Sequence, residues 1–138
     1  MTEPLRAIDT NVLLRYLLRD VPAQAEQAAR LIDSGQPLGL TAVALAEVAW
    51  MLTGPRHGRD RALVAHLLMD LLARDNIVPI GFDKSEALAA LLACTPPTGA
   101  ASFGDALIAA CARSMGVREI YSFDHHFART GLKTVVPA

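Results

Sequence analysis

Short apolar segments alternate with longer helical patterns along this chain, and the alternation limits its fold more than any other feature. Apolar runs of strand length occupy residues 5–8, 38–40, 77–80, 119–122 and 134–136. Apolar residues at helical spacing occupy residues 12–17, 22–32, 42–52, 61–74, 83–92 and 103–115. Strands that alternate with helices indicate a parallel sheet covered by helices on both faces. We therefore expect an α/β protein, a three-layer α/β/α fold with a short central parallel sheet.

The length and composition predict one domain over residues 1–138. Of the 138 residues, 52% are hydrophobic but only 5% are aromatic, so the core must be mainly aliphatic. No apolar run reaches the roughly 18–20 residues that a membrane span needs. The N-terminus lacks the basic start and apolar segment of a secretory signal. We expect a soluble, cytoplasmic protein that does not bind a membrane.

Charge and metal-binding residue types leave the partner open. The formal net charge is −1, whereas a strong basic excess would have favoured nucleic acid. Two isolated cysteines support neither a disulfide framework nor a four-ligand zinc site. His125 and His126 are adjacent, so we expect their side chains on different sides of the backbone. A rim that holds nucleic acid could use arginines, for which the candidates are Arg15, Arg19, Arg56, Arg59 and Arg61.

Two carboxylates follow predicted strands directly. Asp9 comes after the segment ending at Ile8, and Asp124 comes after the segment that contains Ile120 and Tyr121. In open parallel sheets, ligands bind outside the carboxyl ends of the strands. These two acids are therefore expected to face one ligand region.

Two further carboxylates lie in apolar helical surroundings. Glu47 is flanked along its predicted helix by Val43, Trp50 and other apolar residues, a face that is not evidently solvated. Asp105 has similar surroundings near the start of its helix. Burying an unpaired charge is costly, and no Lys or Arg lies within one helical turn of Glu47. The missing positive charge could be a divalent cation.

Each acid also has a local structural interpretation. Asp9 and Asp124 could each cap the helical turn that follows, and Asp105 has capping-box spacing from Ser102. Glu47 could lie on an exposed edge of its helix. One shared metal site explains all four acids together, since hard cations such as Mg²⁺ take oxygen ligands. A cation held there could activate water and neutralise phosphoryl oxygens.

At these same residues the sequence resembles the PIN-domain ribonucleases, and among them the VapC-like toxins of type II toxin–antitoxin pairs. The resemblance extends in order over almost the whole chain, and its segments are residues 8–13, 41–52, 103–110 and 120–127.

The resemblance implies a metal-dependent endoribonuclease with Mg²⁺ or Mn²⁺ bound by the matching acids. The acids that match are Asp9, Glu47, Asp105 and Asp124. It also implies supporting roles for three polar residues, Thr10, Asn11 and Ser122. An RNA substrate, a cognate antitoxin protein that blocks the groove, and a homodimer are further expectations from the family.

Two other functions stay open on the sequence alone. One is a catalytically inactive PIN-like module that binds RNA or acts as a scaffold. The other is a different metal-dependent phosphoryl hydrolase, although the segment after Asp9 lacks the second acid of an Asp-x-Asp nucleophile pair. Cleavage of DNA is a milder alternative, because nothing in the sequence reads a 2′-hydroxyl.

Overall fold

The computed structural model describes residues 4–138, and its elements follow the predicted alternation. In chain order they are β1 (Arg6–Ala7), α1 (Thr10–Leu18), α2 (Pro22–Asp33), β2 (Leu38–Thr41), α3 (Ala42–Thr53), α4 (Arg61–Leu72), β3 (Ile77–Ile80), α5 (Lys84–Leu92), α6 (Phe103–Ser114), β4 (Glu119–Tyr121), a 3₁₀ helix (His125–Thr130) and β5 (Lys133–Val135). The three-layer α/β/α fold with a short parallel sheet is confirmed.

The strands form two parallel sheets rather than one. The first has the order β1-β2-β3, and the second pairs β4 with β5. Strand β1, at one edge of the first sheet, contains only two residues. Pro79 lies in β3 at the edge of the sheet, as its missing donor predicts.

The central strand β2 is buried on both faces. Leu38, Gly39 and Leu40 are all buried, as expected of a strand with helices on each side. A Cβ on Gly39 would lie 2.5 Å from the Cδ1 atom of Ile80 on β3. Because Gly39 has no Cβ, the Ile80 side chain of the edge strand can lie against the backbone of the central strand.

Helices α3 and α6 each begin with a residue whose side chain caps the helix. The Thr41 hydroxyl accepts a hydrogen bond from Ala44 N at 3.1 Å and starts α3 directly at the end of β2. The Ser102 hydroxyl accepts one from Asp105 N at 3.2 Å and starts α6. Such caps satisfy backbone donors that have no partner inside the helix. The spacing of Ser102 from Asp105 predicted the second of these caps.

The core is aliphatic, as the composition predicts. Its largest fully buried side chains are Leu, Ile and Val, and the buried aromatic side chains in the described part of the chain are Phe82 and Phe127. Helix α6 packs against α3 and α5 on this core, and it also contacts the 3₁₀ helix through a small cluster of Ala109, Phe127 and Leu132. Across residues 4–138, no helix is both long enough and apolar enough to cross a bilayer.

Candidate functional site

Asp9 lies at the carboxyl end of β1, where β1 passes into α1. Ile8 N donates to Gly39 O at 2.8 Å, so the pairing with β2 continues to the residue directly before Asp9. The exposed Asp9 side chain accepts a hydrogen bond from Thr10 N at 2.7 Å and caps α1. The capping interpretation of Asp9 is therefore correct. Its carboxylate also lies at the carboxyl end of β1, where a ligand is expected to bind.

Glu47 lines an open groove between α3 and the start of α6. The groove has a volume of about 720 Å³, and its walls include Glu47, Trp50, Arg61, Ser102 and Gly104. The expectation that Glu47 lies on an unsolvated face is wrong, because its side chain is exposed. Apolar neighbours did not imply burial here.

The apolar residues beside Glu47 on α3 are exposed as well. Val43 is 74% exposed and Trp50 is 75% exposed, and they lie one turn before and one turn after Glu47. This stripe of the helix faces the groove instead of the core. Glu47 has no hydrogen-bond or ion-pair partner among residues 4–138, so its carboxylate projects into the groove without a protein cation.

Asp105 belongs to the first turn of α6 and is half-buried. Only half of the predicted capping box forms: the Ser102 hydroxyl accepts from Asp105 N, whereas the Asp105 carboxylate accepts no backbone hydrogen bond in the described part of the chain. The carboxylate is therefore not occupied by helix capping. It stands directly after Phe103 and Gly104, which line the same groove as Glu47.

Asp124 starts the 3₁₀ helix after β4. Its Oδ1 atom accepts a hydrogen bond from His126 N at 2.9 Å, so the capping interpretation of this acid is correct too. The Ser122 hydroxyl accepts a hydrogen bond from Asp124 N at 3.0 Å. Ser122 thereby fixes the backbone from which the exposed Asp124 side chain projects.

Three of the four acids lie on helix α6 or on elements that pack against it. It carries Asp105, packs against α3 with Glu47, and packs against the 3₁₀ helix that Asp124 begins. Among the described residues, however, no three of the four acids have carboxylate oxygens that all lie within 4.8 Å of one another. Direct sharing of one ion by all four acids stays a prediction.

A tighter group of metal-ligating side chains lies at the start of the 3₁₀ helix. It consists of Asp124, His125 and His126, whose ligand atoms all lie within 4.8 Å of one another. The two imidazole rings have centroids 4.1 Å apart. The expectation that adjacent histidines point to different sides is wrong here, because His125 begins the tight 3₁₀ turn directly after the extended Asp124. Nothing in the sequence pattern marked this pairing.

Arg61 has a structural role beside the groove. Its Nε atom donates to Cys94 O at 3.0 Å and its Nη2 atom donates to Pro96 O at 2.7 Å, which fastens the loop that leads to α6. Burial raises the pKa of the Cys94 thiol to about 11, an effect that the Arg61 charge partly opposes. Of the arginines considered for a rim, Arg61 is thus engaged locally, and Arg15 is engaged with Asp20 at 3.1 Å.

A family model described as the PIN domain matches residues 7–133. The chain belongs to the PIN domain family. The match includes all four acids, the groove, the whole of β2, β3 and β4, and one residue each of β1 and β5. PIN domains are commonly nucleases, and those nucleases typically use divalent metals, so the chain has a nuclease-type fold. No curated protein matches the chain.

Within this PIN domain, the two polar residues after Asp9 differ in their surroundings. Thr10 is buried at the first position of α1, whereas Asn11 is exposed at the second. Exposed aromatic side chains lie near two of the acids: Trp50 is on the groove beside Glu47, and Phe123, which is 84% exposed, directly precedes Asp124. Such side chains offer faces on which unpaired bases can stack.

Proposed function

We propose that this PIN domain is a metal-dependent endoribonuclease that hydrolyses RNA phosphodiester bonds. The observation that carries the proposal is the groove in which Glu47 projects opposite the first turn of α6, the turn that holds Asp105. Neither carboxylate has a cationic partner within the described residues. Family membership supplies the nuclease-type fold around them.

Asp9, Glu47, Asp105 and Asp124 are the residues that we propose to hold Mg²⁺ or Mn²⁺. Their oxygen donors suit these hard cations. Mg²⁺ is commonly held by one or two carboxylates together with waters, so it does not require three carboxylates at contact distance from one another. When bound, such a cation neutralises phosphoryl charge and makes water more acidic.

The chain's own side chains would position the acids and the RNA. Ser122 holds the backbone of Asp124, and Thr10 N holds the Asp9 carboxylate at the strand edge. Asn11 is exposed beside it and can donate to a phosphate oxygen. The exposed ring of Trp50 at the groove favours an unpaired base over a duplex, because a base inside a helix cannot stack on it.

We further propose that residues 1–138 form one PIN-like domain that acts as the toxin of a type II toxin–antitoxin pair in the cytoplasm. A cognate antitoxin protein and a homodimer belong to this proposal. PIN nucleases often have antitoxin partners, which supports it. The role as a toxin rests on the resemblance to VapC-like proteins and on no contact within this chain.

A catalytically inactive PIN-like RNA-binding module is the second candidate. It is favoured by the separation of the acids, no three of which approach within 4.8 Å of one another in the part of the chain that the structure describes. A module of this kind would keep the groove and its exposed aromatic side chains while lacking a working metal centre. Binding without cleavage distinguishes it from a nuclease.

The test uses tag-free protein and an end-labelled single-stranded RNA pool. We expect cleavage with Mg²⁺ or Mn²⁺, none with EDTA, and products that carry a 5′ phosphate. Asp105→Asn should abolish cleavage, and Asp70→Asn, an exposed acid on α4, is the matched control. RNA that is bound but left intact by the wild type with Mn²⁺ would establish the inactive module instead. Cleavage that continues in EDTA would refute the metal dependence.

A further inference from the structure

The side chains of Asp124, His125 and His126 form a compact, exposed group at the start of the 3₁₀ helix. The Oδ1 atom of Asp124 lies 3.3 Å from Nδ1 of His126, and the His125 ring stands beside the His126 ring with its plane tilted by 44°. One carboxylate oxygen and two imidazoles can therefore point at one position in solvent. No other group of three metal-ligating side chains within residues 4–138 is as close.

The spacing of this group fits a tetrahedral cation. Ligand atoms about 2.0–2.1 Å from a tetrahedral zinc ion lie about 3.3 Å from one another. The 3.3 Å separation of Asp124 Oδ1 and His126 Nδ1 matches that edge. The remaining ligand atom, on the exposed His125 ring, lies within 4.8 Å of both.

These three ligands prefer a different class of ion from the class that the four carboxylates prefer. Imidazole nitrogen suits borderline cations such as Zn²⁺, Ni²⁺ and Cu²⁺, whereas Mg²⁺ prefers oxygen. Three protein ligands with a fourth position open to water are a common arrangement for zinc. Two imidazoles with one carboxylate therefore favour a transition-metal cation of this class, such as Zn²⁺, over Mg²⁺.

The backbone beneath the group is already fixed. Asp124 Oδ1 is held by His126 N at 2.9 Å, and Asp124 N is held by the Ser122 hydroxyl at 3.0 Å. Buried Phe127 anchors the 3₁₀ helix against α6. Asp124 is already held by its bond from His126 N, so the exposed rings of His125 and His126 are what an ion still has to order, which limits the entropic cost.

We propose that Asp124, His125 and His126 bind one Zn²⁺-class cation, and that this ion inhibits cleavage by engaging Asp124. The second half rests on the proposed function, in which Asp124 is a ligand of the magnesium site. The first half depends only on the three side chains. The two halves can therefore be tested separately.

The binding test uses tag-free, metal-depleted protein without RNA. Co²⁺ is titrated as a spectroscopic probe through its visible absorption, and Zn²⁺ is then added to displace it. We expect one Co²⁺ per chain, displaced by one Zn²⁺. The double variant His125→Gln/His126→Gln should weaken binding by at least ~100-fold, since even the loss of an outer-shell partner of a metal ligand costs about 10–100-fold.

The matched control is His66→Gln, which removes an exposed histidine on α4 and should bind Co²⁺ as the wild type does. Circular dichroism checks that each variant is folded, and the exposure of both replaced histidines makes a folding failure unexpected. Wild type that binds no Co²⁺ or Zn²⁺ overturns the proposal. Equal binding by the wild type and the double variant overturns it as well.

The inhibition test measures RNA cleavage at fixed Mg²⁺ while Zn²⁺ is increased, and each protein is compared with its own zinc-free rate. The double variant should need at least ~10-fold more Zn²⁺ for half inhibition than the wild type or His66→Gln, given the weaker binding expected above. Equal sensitivity of all three proteins would refute the coupling through Asp124. Absence of cleavage at every Mg²⁺ concentration would refute the proposed function, while the Co²⁺ titration would still decide the metal site.

Discussion

Two substitutions at Asp9 separate its role as a helix cap from its proposed role as a metal ligand. Asp9→Asn keeps an oxygen that can accept from Thr10 N, but it removes the negative charge. Asp9→Ala removes both. If Asp9 only caps α1, Asn should be tolerated in every assay. If its charge holds a cation, both variants should be inactive although only one is unstable.

The structure sets the expected magnitudes. The cap bond is 2.7 Å long and the side chain is exposed. Asn is as good a cap as Asp, so Asp9→Asn should lower the free energy of unfolding by no more than the ~0.3–1 kcal/mol of the charge at the helix N-terminus. Asp9→Ala should cost about 1 kcal/mol more, which for a chain of this size lowers Tm by about 3–4 °C.

Activity should follow a different order from stability. Both variants should lose at least ~100-fold in Mg²⁺-dependent cleavage, because even outer-shell partners of a metal ligand are worth about 10–100-fold. Asp60 is the matched control: it caps α4 through Leu63 N at 3.2 Å and is outside the proposed ligand set. Its Asn and Ala variants should repeat the stability pattern and keep activity.

The assays are urea denaturation and cleavage of a labelled RNA. An active Asp9→Asn variant with an inactive, destabilised Asp9→Ala variant would show that the cap alone matters. That result would refute a ligand role for Asp9.

Three further predictions concern Cys94 and two residues that line the groove, Arg61 and Ser102. Cys94 should resist thiol reagents in the native protein and react once urea unfolds it. Because folding raises the pKa of this thiol, its contribution to stability should be full below pH 9 and lost as the pH rises through about 11. Denaturation at several pH values would show this loss. Arg61→Met should lower the free energy of unfolding by about 1–2 kcal/mol through two lost carbonyl hydrogen bonds, whereas Arg59→Met, which has no side-chain partner within residues 4–138, should change little. Ser102→Ala should cost about 1 kcal/mol by uncapping α6 and should also slow cleavage by loosening Asp105, and urea denaturation with the RNA assay checks both.

Local sequence signals predicted most of the fold because they act within a few residues. Thr41 follows an apolar strand and precedes a helical pattern, and its side chain caps α3 at that boundary. Strand β3 occupies the predicted residues 77–80. The division into two sheets was not predicted, because the apolar pattern indicates strands but not which strands pair with each other.

The candidate site was less predictable, because exposure and proximity are set by distant parts of the chain. Glu47 was expected on an unsolvated face because its neighbours are apolar, yet Val43 and Trp50 turn out to be exposed with it. Their sequence spacing is that of a core stripe, but no element within residues 4–138 buries them. The proximity of the His125 and His126 rings was not predicted either, because helical and strand periodicities do not describe the first turn of a 3₁₀ helix.

Asp124 connects the two proposed metal sites, and this has a thermodynamic consequence. If the same carboxylate serves an oxygen-rich magnesium site and the histidine group, the two ions compete for it. Whatever factor bound Zn²⁺ removes from the affinity for Mg²⁺, bound Mg²⁺ must remove from the affinity for Zn²⁺, because coupling free energies are reciprocal. The ion that occupies Asp124 is then decided by the ratio of each concentration to its own Kd, and not by affinity alone. An abundant ion that binds weakly and a scarce ion that binds tightly can therefore occupy this one exposed side chain to similar extents.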